Sequence, residues 1–338
     1  MHRVALVGAS GYTGTEALRL ILQHPHMHLT MLCAGRQAGK SVDEITPSFT
    51  GFELPTMQTF DADAVAAAAD YAFLGLPHGT AQDATAELLA RGVKVIDLSA
   101  DHRFSSADVY RSIYAPHAYP DSLDRTVYGL PELYRDQIAD SVLIGCPGCY
   151  PTSVILAAYP AVKAGLVQDG EIIADCKSGV SGAGRNANAG THFPETSDGL
   201  HAYKTLTHRH APEMSHYLDG VRVHFVPHLV PIIRGILSTV YVKVSETLTI
   251  EQVRSVYEDA YQDEYFVHVL RSGEHPDPRH VRGTNRCHIG LFLDQDRLVI
   301  QSAIDNLCKG SSGQAIQCFN VMAGLPETTG LSQSAVFP

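Results

Sequence analysis

No stretch of the 338-residue chain is long and apolar enough to span a bilayer, which argues against a membrane-embedded protein. The opening, "MHRVALVGASGYTG", lacks the apolar stretch and small-residue cleavage site of a secretory signal, so a cytoplasmic protein is expected. Positive charge is scarce. The 25 Lys and Arg stand against 36 Asp and Glu, and the formal net charge of −11 argues against a general nucleic-acid binder. An anionic substrate is still allowed, because a site can be locally basic. The seven cysteines, at 33, 146, 149, 176, 287, 308 and 318, are odd in number and scattered. That is unlike a secreted disulfide framework, and reduced thiols are expected. Internal repeats and low-complexity tracts are also missing. What remains is ordinary globular composition, 45% hydrophobic and 18% charged, at a length for which two domains are the first expectation.

The pattern along the chain supports two domains. Val4–Val7 is a short apolar run that breaks at Gly8; glycines recur at 11 and 14, and helical spacing follows through Ala17, Leu18 and Ile21 until Pro25. Further apolar runs, Leu29–Cys33, "DYAFLGLPHG", "VKVIDLS" and "SVLIG", are interleaved with the helical "TAQDATAELLARG". Strands alternating with helices predict an α/β, doubly wound, mostly parallel Rossmann-type sheet. After Tyr150 the runs lengthen and gain β-branched residues: "GILSTVYVKV", "YFVHVL", "RCHIGLFL" and "RLVIQSAI", with "LDQDRL" as a hairpin turn. These predict a second, α+β domain on a mostly antiparallel sheet, covered by the helix "TIEQVRSVYEDAY". The expected division is 1–148 plus about 306–338 for the dinucleotide-binding domain, with the last helix packing back on it, and 149–305 for the catalytic domain.

Gly8, Gly11 and Gly14 lie between a strand and a helix, where a dinucleotide pyrophosphate would rest on backbone N–H groups. The spacing departs from G-x-G-x-x-G, and glycine turns also simply join strand to helix. Beyond the second strand an NAD-selective site usually carries an acid. Here Arg36 occupies that region and no acid lies between the strand's end and Asp43, so NADP is favoured, the guanidinium suiting a 2′-phosphate.

The pair in "IGCPGCYPT", Cys146 and Cys149, admits three chemistries. A redox pair normally lies early in a small domain, whereas this one follows an entire nucleotide-binding pattern. A structural zinc needs a second ligand pair, and no other C-x-x-C exists, so no metal is expected. The third reading is a single nucleophile at the start of the helix "TSVILAAYPAVKAG". A helix N-terminus favours a thiolate, and Cys149 is nearer to it. Cys146 then becomes a small buried residue.

Taken with the other motifs, "IGCPGCYPTS" resembles the active-site signature of the N-acetyl-γ-glutamyl-phosphate reductases, members of the aspartate-semialdehyde-dehydrogenase superfamily. "VGASGYTG" is similar to the family's opening loop, which adds Ser10, Tyr12 and Thr13 to the cofactor residues. "DLSADHRF" is similar to its acid-and-arginine segment, and "SGVSGAGR", with Ser181, Gly182 and Gly184, to its loop near the nicotinamide. "THRHAPE", "PIIRGIL" and "DNLCKGSSGQAIQ" follow in the family's order. Ser153 and Ala158 depart from the family's usual residues, both within the helix after the nucleophile.

The resemblance implies NADPH-dependent reduction of N-acetyl-γ-glutamyl phosphate to N-acetylglutamate 5-semialdehyde, in arginine biosynthesis. Cys149 would be the nucleophile of a thioester route and a histidine the acid–base group. "HRHAPE" offers His208 and His210; the resemblance favours His208, and the residues alone do not decide. It further implies Arg103 for the phosphate with Ser99 as hydroxyl donor, and Arg234 as a further substrate cation that must be paired to sit between apolar strands. Glu213 would accept the substrate's amide N–H, Asn306 would meet the nicotinamide or cap a helix, and His78 would line the cofactor cleft. A homo-oligomer, dimer or tetramer, is expected. The competing readings are a reductase of aspartyl or aminoadipyl phosphate, a Cys-x-x-Cys thiol–disulfide oxidoreductase, and a nucleotide-sensing regulator without catalysis.

Overall fold

In a computed structural model, which describes residues 1–336, contacts divide the chain into two units: 1–147 with 311–332, and 148–310 with the segment from Gln333. The first unit holds a six-stranded sheet of β1 (His2–Val7), β2 (Met27–Cys33), β3 (Tyr71–Leu74), β4 (Lys94–Asp97), β5 (Thr126–Tyr128) and β6 (Leu143–Gly145). Its order is β2-β1-β3-β4-β6-β5 and every neighbouring pair is parallel. Val4–Val7 and Tyr71–Leu74 are buried throughout, which is why these strands read as continuous apolar runs and not as alternation. The last helix, Gly313–Met322, groups with this unit, and its Phe319 ring meets Tyr71 edge-on at 4.9 Å and His2 at 5.5 Å.

Parallel strands aim their carboxyl ends the same way, and loops there carry ligand sites. The glycine turn follows β1, Arg36 follows β2, His78 follows β3, and Ser99 and Arg103 follow β4. The reversal of strand order between β1 and β3 puts the glycine turn at the sheet's switch point.

The second unit is built on seven strands: β7 (Glu171–Gly179), β8 (His201–Ala202), β9 (Arg222–Val230), β10 (Ile236–Lys243), β11 (Val267–Val269), β12 (Cys287–Asp294) and β13 (Arg297–Ile304), ordered β11-β12-β13-β10-β7-β9-β8. The sheet is mixed and mostly antiparallel; the pairs β11–β12 and β7–β9 are parallel. The expected hairpin joins β12 to β13, closing at Asp294 opposite Arg297 with Gln295 at a left-handed φ of 50°. One face alternates cleanly into the core: Ile172, Ala174 and Cys176 on β7, Ile236, Ser238 and Val240 on β10, Ile300, Ser302 and Ile304 on β13. Residues 306–310, expected with the first unit, group with this one. Asn306 is tied there by its side chain, accepting the Gly235 N–H at 2.7 Å and donating to Ser181 Oγ at 2.9 Å. The segment from Gln333 also groups here, where the Val336 N–H donates to the Arg282 carbonyl.

The helix Cys149–Lys163 packs on β10 and β13 and is itself covered by the helix Ile250–Tyr261. It is buried nearly all round, so its polar groups need internal partners. Ser153 donates to Ser238 Oγ at 2.8 Å and lies 2.6 Å from Ser302 Oγ, two hydroxyls that face each other across β10 and β13. Pro160 has no N–H to offer Leu156 one turn back. The Tyr261 hydroxyl fills that gap, donating to the Leu156 carbonyl at 2.6 Å. We expect Tyr261→Phe to lower stability by about 1–3 kcal/mol, the cost of a buried carbonyl left without its donor. A denaturant midpoint equal to wild type would show that Leu156 is satisfied otherwise.

Candidate active site

The glycine turn of the first unit divides its tasks among its three glycines. Gly8 has φ +89°, and an added Cβ would come within 2.4 Å of the Gly75 carbonyl oxygen. At Gly14 an added Cβ would lie 2.2 Å from the Gly8 carbonyl oxygen, so this glycine permits close packing of helix on turn. Gly11 is different: nothing lies closer to its Cβ position than the Gly8 oxygen at 3.9 Å. Gly11 is also the N-cap of the helix Tyr12–Gln23, with no side-chain cap and no acid in the first turn. Open space over uncapped N–H groups is what a pyrophosphate requires. The backbone thus fits a dinucleotide, with Ser10, Tyr12 and Thr13 in the same turn and Arg36 exposed beyond β2.

The segment after β4 is held by two carboxylates with no exposure, Asp97 and Asp101. Asp97 accepts from the Ser99 N–H at 2.8 Å and the Ser99 hydroxyl at 2.7 Å, and lies 2.7 Å from His102 Nδ1. Ser99 therefore spends its one hydroxyl proton on Asp97, so that proton is not available to a substrate. Arg103 is buried and donates from Nε to the Cys146 carbonyl at 3.0 Å. Asp101 accepts from the backbone N–H groups of Gly79 and Ala81 at 2.8 and 3.0 Å and from the Tyr110 hydroxyl at 3.1 Å. His78 Nδ1 lies 2.8 Å from it, so the loop after β3 is anchored to the loop after β4. Burial opposes the charge of Asp101, but these donors outweigh it and hold the carboxyl at about 2. Neither carboxylate was singled out from the sequence, although both lie inside the "DLSADHRF" motif.

In the second unit Cys149 is the first residue of its helix, and the N-cap, Gly148, offers no side chain. Of the seven cysteines six are buried and Cys149 is half-buried. Cys146 is 1% exposed and burial pushes its thiol strongly upward, the wrong direction for a redox-active partner. Among the described residues no group of three or more His, Cys, Asp or Glu is arranged to hold a metal. Tyr150, the next residue, joins this helix to the histidine segment, its ring 6.1 Å from His208 and 6.0 Å from His210. His208 is half-buried, and its Nδ1 accepts the His210 N–H at 3.1 Å; His210 is buried and begins the helix His210–Tyr217. Glu213, expected to meet a substrate amide, has no exposure and accepts the Gly148 N–H through Oε1 at 2.9 Å.

Arg234 is paired, as the sequence demanded, forking onto Asp305 at 3.0 Å from Nε and 2.9 Å from Nη2. Asn306 is 2% exposed with its amide divided between Gly235 and Ser181, and it caps no helix. Ser181 is buried, while Gly182 and Gly184 are exposed in the loop beyond β7.

Residues 3–141 match the semialdehyde dehydrogenase NAD binding domain, and residues 149–306 the semialdehyde dehydrogenase dimerisation domain. A protein of Desulforapulum autotrophicum named N-acetyl-gamma-glutamyl-phosphate reductase is 45% identical, with 98% of each chain covered. One of the same name from Syntrophobacter fumaroxidans is 47% identical, with 99% of each covered. The chain belongs to the N-acetyl-gamma-glutamyl-phosphate reductase family. As a member of that reductase family it is an oxidoreductase with a nicotinamide-dinucleotide domain. Aspartate semialdehyde dehydrogenase II of Vibrio cholerae shares its fold, with a TM-score of 0.73 at 17% identity over 96% of this chain and 98% of that one. The Candida albicans aspartate semialdehyde dehydrogenase, solved with NADP, has a TM-score of 0.71 at 17% identity, over 96% and 98%. Among the described residues no helix is long and apolar enough to cross a membrane.

For this reductase-family chain the anchoring of the two loops has a pH signature. The Asp101 carboxyl is held below its ordinary value of about 3.9, so its contribution is full above that pH and is lost as pH falls toward about 2. We expect Asp101→Asn to cost on the order of 2 kcal/mol near neutral pH and to flatten the loss of stability between about pH 4 and pH 2. Urea titrations across that window check it; an unchanged slope in the variant would remove Asp101 as the group responsible.

Proposed function

We propose that the chain reduces N-acetyl-γ-glutamyl phosphate to N-acetylglutamate 5-semialdehyde with NADPH and releases inorganic phosphate, as a cytoplasmic step of arginine biosynthesis. The observation that carries the reading is Cys149, the one half-buried cysteine, at an uncapped helix N-terminus whose first turn packs against two histidines. The names of relatives at 45–47% identity supply the substrate.

The Cys149 sulfur attacks the acyl carbon. The bond from that carbon to the phosphate oxygen breaks, phosphate leaves, and a thioester remains on the enzyme. NADPH, when bound, supplies the hydride that takes the thioester to the aldehyde level. Collapse of the resulting thiohemiacetal frees the semialdehyde and returns the thiol. The N–H groups at the helix start favour negative charge on sulfur and on the developing oxygen. His208 receives a backbone N–H at Nδ1, which leaves the proton of its neutral ring on Nε2 and suits it to donate. We assign it the acid–base role over His210, which is buried.

Arg103 is assigned to the phosphate and Arg234 to the substrate's carboxylate. Ser99 acts through Asp97 in shaping the Arg103 loop, and Glu213 holds the Gly148 N–H just before Cys149. The coenzyme residues are Gly8, Ser10, Gly11, Tyr12, Thr13 and Gly14, with Arg36 at the 2′-phosphate and His78 beside the turn. Ser181, Gly182, Gly184 and Asn306 are assigned to the nicotinamide end. A second copy of the chain is expected on the outer sheet face, where Ile173 and Tyr241 stand opposite one another, 47% and 38% exposed.

Three measurements test the reading. Incubated with N-acetylglutamate semialdehyde, phosphate and NADP, the protein should form NADPH, and aspartate semialdehyde should be a poor replacement. Cys149→Ser should abolish that formation while leaving NADP binding nearly unchanged; retention of more than about a few per cent of turnover would remove Cys149 from the mechanism. Arg36→Asp should weaken NADP by roughly tenfold or more and NAD far less, since a phosphate partner becomes a repelling acid. Equal weakening of both in titrations would place the 2′-phosphate elsewhere.

A further inference from the structure

Asp305 directly follows β13 and has no exposure. Its two oxygens collect an unusual number of donors. Oδ1 accepts the backbone N–H groups of Leu307 and Cys308, each at 2.9 Å, together with Arg234 Nη2 at 2.9 Å. Oδ2 accepts the Gly283 N–H at 2.7 Å and Arg234 Nε at 3.0 Å. The carboxylate thus folds its own chain into a turn while it aims the Arg234 fork. The turn closes where the Gly310 N–H donates back to the Asp305 carbonyl at 2.9 Å.

Gly310 delivers the turn to the nucleophile. A Cβ added there would lie 2.9 Å from Cys149 Cβ, 3.2 Å from Cys149 Cα and 3.3 Å from Ile304 Cδ1. Its φ is not among the left-handed glycines, so space alone demands hydrogen at this position. Cys149 cannot give way, because its helix is packed on β10 and β13. The residue between, Asn306, binds Gly235 beside Arg234 and so ties the middle of the same turn to the arginine loop.

We propose that Asp305 is a positioning residue for two groups at once: it sets Arg234 by direct ion pair, and it sets Cys149 through the turn that presses Gly310 against it. The proposal rests on the reading of Cys149 as nucleophile and Arg234 as a substrate contact. It adds a carboxylate and a glycine that lie outside the assigned catalytic and binding residues.

Three variants separate the two arms. Asp305→Asn keeps the shape but removes the charge and puts an amide donor among N–H donors. It should raise KM for the semialdehyde and slow iodoacetamide alkylation of Cys149, each by roughly tenfold or more, with NADP affinity within about twofold of wild type. Arg234→Lys should raise KM and leave alkylation unchanged, because the turn keeps its other bonds. Gly310→Ala, which preserves every bond to Asp305, should lower kcat and the alkylation rate by roughly ten- to hundredfold with little change in KM. A purely structural Asp305 predicts a different result: a lower melting temperature, with KM and alkylation of the folded Asp305→Asn protein unchanged. That result overturns the proposal, as does wild-type alkylation in Gly310→Ala. Should Asp305→Asn fail to fold, Gly310→Ala decides alone. Alkylation needs no turnover, so it reads the contact with Cys149 even if the semialdehyde assay refutes the function.

Discussion

The second unit depends on one constraint: a helix buried nearly all round. From Tyr150 to Ala161 almost every side chain of the helix Cys149–Lys163 is removed from water, which contributes far more than any single polar contact in the unit. Burial that complete leaves no solvent to correct unmet hydrogen bonds, so each irregularity has an internal answer. Pro160 removes a backbone donor, and Tyr261 replaces it. Ser153 brings a hydroxyl into the core, and Ser238 and Ser302 meet it. A helix anchored that firmly along its body has an N-terminus that cannot drift. Cys149 sits there.

The loops carrying the other candidate groups are secured differently. Asp97, Asp101, Glu213 and Asp305 are all without exposure, and each accepts backbone N–H groups from a loop that bears a site residue. A buried carboxylate that accepts such an N–H clamps its loop, because the bond replaces part of the hydration it gave up. Loops freed from regular pairing thus keep a fixed shape without filling the space a ligand needs. The glycine turn follows the complementary rule: Gly8 and Gly14 are consumed by close packing, and Gly11 alone faces open space.

Much of this was legible beforehand. Apolar runs interrupted by glycines and helical spacing identified a parallel first sheet, because strands buried on both faces lose their alternation. Residues 236–243 and 297–304 show the alternation of a sheet with one buried face, and they pair over their full length. The pairing of Arg234 was also foreseeable, since a guanidinium between apolar strands needs a partner. Which acid would provide it was not, because Asp305 is distant in sequence and lies in a motif whose more conspicuous member is Asn306. Ser99, Asn306 and Glu213 were expected to meet a substrate or the coenzyme, but a sequence cannot say whether a polar side chain turns toward a ligand or toward its own backbone.

The sequence by itself determined the fold class, the hairpin at Gln295 and the glycine turn after β1. Each depends on local period or local conformation, which neighbouring residues carry among themselves. Only the tertiary structure decided that 306–310 belong with the second unit, that Glu213 grips Gly148, that Asp101 joins the loops after β3 and β4, and that Gly310 has no room for a methyl group. Those outcomes turn on the hydrogen-bonding demands of buried groups and on the space left between them, which exist only once residues far apart in the chain have been packed together.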